Sequence, residues 1–192
     1  MSTRELLIEA MRFNNVNEAF IHQGAPLFAK ENISMLEEFK ENLLLTSGAW
    51  YEVSNAAEVR PLIRVLHPEA NVIASATPEV RGHKLLNHLY NPCELEEVEV
   101  AVIRAEFGVA ETGMVWISEQ DMPIHFLDHL SHHLVILLHP DRLVKGMREA
   151  YEEVYSGDIN FGSFISAPLH NKKKKTQQRA RGPETVTICF VA

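Results

Sequence analysis

The sequence predicts an α/β domain, a mostly parallel sheet with flanking helices. Strand-like and helix-like runs alternate along the chain with short connections between them. The run "HLVILLHP" at 133–140 is apolar without alternation, as in a strand buried on both faces. Its 192 residues, 46% hydrophobic and 23% charged, suit one globular domain with a sizeable core.

Ser2 and Glu5 make a capping-box pattern ahead of Leu6, Leu7, Ala10 and Met11, which predicts a short amphipathic helix. Asn32 precedes Ile33, Leu36, Phe39, Leu43 and Leu44, a second helix with one apolar stripe. "GAWYEV" at 48–53 sets aromatic and branched residues between turn formers and predicts a strand. Ser54 is placed to cap the next helix, whose Ala56, Val59, Leu62, Ile63 and Leu66 share a face before Pro68. "NVIASA" at 71–76 predicts a short buried strand, and a helix follows around 78–89.

Beyond residue 96 the pattern sharpens. A strand is centred on Val98 to Ile103, and "GMVWIS" at 113–118 reads as its neighbour. After "HLVILLHP", Pro140 and Asp141 open a helix with Leu143, Val144, Met147, Ala150, Tyr151 and Val154 at helical spacing. "FGSFIS" and "TVTICFV" close the chain as strands. The expected organisation is a single domain over 1–192, with N-terminal helices at about 1–46 packing on an α/β core at about 47–192.

The formal net charge is -8, yet residues 170–192 hold six of the 18 basic side chains and one of the 26 acidic ones. An acidic body lacks the broad basic face of a nucleic-acid binder, so Lys172–Lys175 reads as a local, solvated loop. No apolar run reaches the roughly 18 residues that span a bilayer, and the start is too charged for a signal peptide. We therefore expect a cytoplasmic protein with no membrane insertion. Cys93 and Cys189 are too few for an iron–sulfur cluster, which takes about four thiolates, and are expected as buried thiols.

Three segments are candidates for chemistry. "GVAETGMV" at 108–115 has the two-glycine spacing of a phosphate loop but Met114 where the lysine belongs, which excludes a nucleotide P-loop. What remains is a turn presenting Glu111, Thr112 and Gly113. His125, His129 and His133 fall at i, i+4 and i+8, which is metal-ligand spacing on a helix. Because His133 directly precedes a buried strand, packed or surface histidines are the expectation and no native metal is assigned. Finally, Ser166-Ala167-Pro168 with His170, and Arg181-Gly182-Pro183, form two turns that could face each other around a small anion. No Gly-x-Ser-x-Gly, His-Glu-x-x-His or Gly-x-Gly-x-x-Gly occurs after a strand.

Taken in order, "VAETG" before a strand, "HPDRLV", "FISAP", and "RGP" leading the last apolar strand resemble the LUD domain of the lactate utilization protein C group. Ala110-Glu111-Thr112-Gly113 matches that family's signature turn letter for letter. The resemblance covers about 95–168 and the last ten residues. It implies a fold similar to the NagB/RpiA/CoA-transferase group and a part in oxidising L-lactate to pyruvate. It also implies partner subunits that carry the iron–sulfur clusters, with none bound by this chain. A ligand pocket is expected near Glu111, Thr112, Gly113, Ser166, Pro168, His170, Arg181 and Gly182, with Glu111 the leading catalytic candidate. A stand-alone enzyme or binder for a sugar phosphate, CoA ester or folate-like anion, and a non-catalytic interaction protein, are the rival readings. The chain departs from the family after Pro168: Ala167 replaces a glycine, "LHNKKKK" replaces a hydroxyl-and-acid stretch, and Arg181 stands in place of a histidine.

Overall fold

Ser34 opens the first helix of the computed structural model, which describes residues 34–85, 97–118, 132–156, 162–168 and 183–191. The Ser34 hydroxyl accepts from the Glu37 N–H while the Glu37 carboxylate accepts from the Ser34 N–H. This reciprocal capping box starts α1, Met35–Leu45. Strand β1 is Ala49–Val53. Asn55, not Ser54, then caps the next element: its Oδ1 accepts from the Ala57 N–H and begins a 3-10 turn that runs into α2, Val59–Leu66.

The remaining elements are β2 Ile73–Ser75, β3 Lys84–Leu85, β4 Val100–Arg104, β5 Phe107–Val109, β6 Met114–Ser118 and β7 His133–Leu138. They are followed by β8 Leu143–Val144, α3 Met147–Ser156, β9 Gly162–Ile165 and β10 Thr185–Val191. Six strands form one sheet in the order β1-β10-β7-β4-β2-β3, every pair parallel. The protein is thus an α/β structure with β7 near the centre of a parallel sheet, as its unbroken apolar run predicts.

A second sheet, β8-β5-β6-β9, was not foreseen. There β6 pairs antiparallel with β5 and β9, so "GMVWIS" neighbours Phe107–Val109 rather than the strand ending at Arg104. Two expected helices also change. Residues 78–83 are bends leading to β3, because His83 returns to the sheet edge: its N–H donates to Ile73 O and its Nδ1 accepts from Ile73 N–H. Leu143 and Val144 form a strand instead of a helical turn, since Gly108 and Ala110 donate to Arg142 O and Val144 O across it. The helix begins only at Met147.

One face of the large sheet packs Ala101, Ile103, Leu134, Ile136, Leu138, Ile188 and Phe190 against Val115 and Ile117 of β6. The outer face of the small sheet, Phe107, Val109 and Trp116, meets α3 through Ala150, Met147 and Val154. Phe39 of α1 joins the central core, edge-on to Phe190 with centroids 5.9 Å apart. Its ring also fills the space above Gly108, where a Cβ would meet Phe39 Cε2 at 2.8 Å. The described residues from Ser34 onward form one compact unit that includes α1 with both sheets. The helix expected near Ser2–Met11 lies outside the described residues. No helix among the described residues is long and apolar enough to cross a membrane.

Phe39→Ala should lower unfolding stability by about 3–5 kcal/mol, because a buried aromatic leaves a cavity between two sheets. Gly108→Ala should cost about 1–3 kcal/mol by overpacking the same spot, and Phe39→Leu should relieve part of that loss. Urea unfolding of the single and double variants measures both effects.

Candidate functional site

The Ala110-Glu111-Thr112-Gly113 turn joins β5 to β6 and is held from three sides. Gly113 has a φ of 67, a left-handed value that suits glycine. A Cβ there would also lie 2.6 Å from the Leu43 backbone nitrogen, so α1 approaches too closely for any side chain. Asn42 reaches across from α1, its Nδ2 donating to Ala110 O at 2.8 Å. The backbone donors of the turn are used internally. Ala110 and Glu111 N–H donate to Val144 O and Lys145 O, and Thr112 and Gly113 N–H donate to Val109 O. Thr112 Oγ1 accepts from Met114 N–H at 3.3 Å. What the turn offers to a ligand is therefore its exposed Glu111 side chain, not a cradle of free N–H groups.

The Glu111 carboxylate lies against the start of α3, accepting from the Met147 N–H at 3.4 Å. A Cβ on Gly146 would stand 2.7 Å from Glu111 Oε2, so the glycine keeps this carboxylate in place. Around it is an open groove of about 470 Å³ lined by Glu38, Glu111, Glu149 and Glu152 with Lys145 and Arg148. Carboxylates outnumber cations four to two among those side chains.

Strand β9 carries the second candidate segment toward the same place. Val115 pairs with Ile165 in an antiparallel register, so Ser166–Pro168 run toward the turn that precedes β6. Ser166 is exposed and Pro168 half-buried. Ala167 is buried, its methyl 3.1 Å from the point where a Cβ on Gly48 would stand, beside Leu43. The turn and the end of β9 thus both meet the C-terminal half of α1. His170, Arg181, Gly182 and Lys172–Lys175 lie outside the described residues.

The histidine row divides. His125 and His129 lie outside the described residues, and His133 is the first residue of β7, so a helix cannot carry the spacing through to it. Among the described residues no group of three or more His, Cys, Asp or Glu side chains is placed to hold a metal ion. His133 instead joins a cluster at the amino edge of the large sheet. Its ring stacks on His67 with centroids 3.8 Å apart, and its Nδ1 is 2.8 Å from Thr185 Oγ1. His132 Nδ1 meets Glu184 Oε1 at 3.1 Å, and the Glu99 carboxylate accepts from Asn71 and Val72 N–H. Burial pushes His67 down to about 4, with His133 adding to the effect; burial also lowers His133, against an opposing pull from Glu184. Sequence reasoning missed His67, Glu99 and Glu184 as partners, because only strand order brings these distant positions together.

The fold matches a solved one. The crystal structure of a DUF162 family protein from Deinococcus radiodurans superposes with a TM-score of 0.64, covering 84% of this chain and 100% of that one at 16% identity. At that identity the likeness shows the α/β fold. No family model matches the sequence, and no curated protein does.

Cys189 lies in the middle of β10, fully buried, and burial pushes its thiol up to about 12. In a Cys93→Ser background it should react with a disulfide reagent at pH 8 at least about a hundredfold more slowly in native protein than in urea, since the thiolate is the reactive form. Glu111→Ala should lower stability by less than about 1 kcal/mol, the loss of one long cap-type hydrogen bond. Thermal unfolding of that variant then separates any functional defect from misfolding.

Proposed function

We propose that this chain is a LUD-type subunit of a lactate-oxidising system, taking part in the oxidation of L-lactate to pyruvate beside partner proteins that carry iron–sulfur clusters. The observation that carries the reading is the Ala110–Gly113 turn. It matches the family signature in sequence, and its end letters are required by packing: Ala110 is buried and bonded to Asn42, and Gly113 is wedged on α1. The fold neighbour bears the name DUF162, the LUD-domain-like family, which supports the same assignment.

Lactate oxidation releases an electron pair and two protons. With two cysteines in its sequence, one of them the deeply buried Cys189, this chain is unsuited to hold a cluster, so the electrons are assigned to the partners. The surface offered by this chain is Glu111, Thr112 and Ser166, with Glu111 the side chain in reach of proton transfer. Lactate is an anion, and the groove beside Glu111 is richer in carboxylates than in cations. The basic residues that would balance it stand after Pro168 in sequence, at His170, Lys172–Lys175 and Arg181. The same imbalance weighs against the rival reading of a stand-alone site for a more highly charged phosphate or CoA ester.

The test is genetic and biochemical together. Removing the gene for this chain should abolish growth on L-lactate as sole carbon source and lactate-dependent dye reduction in extracts, while growth on pyruvate continues. A tagged copy should restore both and co-purify chains with visible iron–sulfur absorbance. Glu111→Ala should restore co-purification but lower dye reduction by at least about tenfold, the usual scale for loss of a proton-transfer group. Undiminished lactate growth without the gene would refute the reading.

A further inference from the structure

The amino edge of the large sheet holds a cluster of titratable groups for which the lactate reading has no use. His67 is the residue that follows α2, and its ring lies face to face with that of His133 at the start of β7, 18° from parallel. Backbone bonds close the same seam, as Glu184 and Thr185 N–H both donate to His132 O, at 2.8 and 3.1 Å. With the His133–Thr185 and His132–Glu184 contacts, the residues just after Pro183 are fastened to β7 beside the end of α2.

We propose that the His67–His133 stack is an acid-sensitive clasp, closed while both rings are neutral and loosened by protonation, that holds the start of β10 to the sheet edge. The geometry supplies the reason. His67 Nε2 is buried without a hydrogen-bond partner among the described residues, so a proton added there finds no acceptor. A proton on both rings would set two cations in van der Waals contact at a half-buried position.

The groups facing the pair divide in sign. Glu184, from the segment before β10, and Glu99, from the segment before β4, favour a proton on His133, whereas His132 opposes it. The Glu99 carboxylate is already held by two backbone N–H groups, and Glu69 lines the rim of the same depression of about 300 Å³. Burial is the largest influence on both rings and lowers both. The sign follows from that direction. A histidine held below its ordinary 6.5 contributes stability that is complete above that value and is lost as pH falls toward its folded value, about 4 for His67.

Hydrogen exchange of the full chain tests the clasp, with rates corrected for the intrinsic pH dependence of exchange. From pH 7.5 to pH 5, protection of the Glu184 and Thr185 amides should fall at least about tenfold more than that of Val102 or Ile103 in β4. His67→Phe keeps a ring on His133 but cannot take a proton, and should reduce that differential to within about twofold. Equal behaviour of the two regions, or an unchanged differential in the variant, overturns the proposal. A ring-proton NMR titration of the unaltered protein stands independently of the variant's folding. His67 titrating below pH 5 supports the clasp, and titration near 6.5 overturns it.

Discussion

The two sheets are tied together by one helix that packs on both at very short range. Helix α1 sets Phe39 against Phe190 of the large sheet and over Gly108 of the small one, while the Asn42–Leu43 backbone rests on Gly113. Fully burying Phe39 and Leu43 is worth about 1.5–3 kcal/mol each. That gain is available only because the small sheet presents no side chain at the two points of closest approach. A methyl group at Gly108 would overpack Phe39, Leu143 and Leu138, and one at Gly113 would collide with the α1 backbone. The glycines are thus not loop fillers but the places where helix and sheet touch.

This constraint changes how the signature turn is understood. Of its four residues, Ala110 and Gly113 are committed to α1, and Thr112 braces the following strand through its hydroxyl. Glu111 alone projects outward, and even it touches the start of α3. A motif that looks catalytic in one dimension is largely a joint in three. Recognition of the motif therefore speaks chiefly to architecture, and chemistry must be argued from Glu111 and its groove.

Much of the architecture was legible because burial on both faces leaves a plain mark. "HLVILL" and "TVTICFV" are strongly apolar runs and lie side by side as β7 and β10. The errors fall where local backbone pairing overrides side-chain spacing. Leu143, Val144 and Met147 have helical spacing, yet the first two are held as a strand by donors from β5. The 78–83 segment meets the sheet edge through His83, a contact that periodicity cannot signal. The cap at Asn55 rather than Ser54 is set by the Ala57 N–H, within reach of two suitable neighbouring side chains. Of the candidate site, the turn and Ser166 were legible as motifs, but their meeting at α1 rests on the β6–β9 register. The His67–His133 pair had no one-dimensional signal, since α2 and β7 are remote in sequence.

The likeness to the LUD pattern is strongest where packing demands it and weakest where packing does not. Gly113 and Ala167 both press on α1 and its following turn, and there even a glycine-to-alanine change after "FIS" is accommodated with the methyl buried at 3.1 Å from the Gly48 position. The stretch from His170 to Arg181 carries lysines where the resemblance expects hydroxyls and acids, a change of charge in the sequence. A scaffold organised this way separates two kinds of information. The joints at α1 hold the two sheets together, and the basic run after Pro168 is a separate feature of the sequence. The fold likeness, at 16% identity, speaks to the architecture rather than to the ligand.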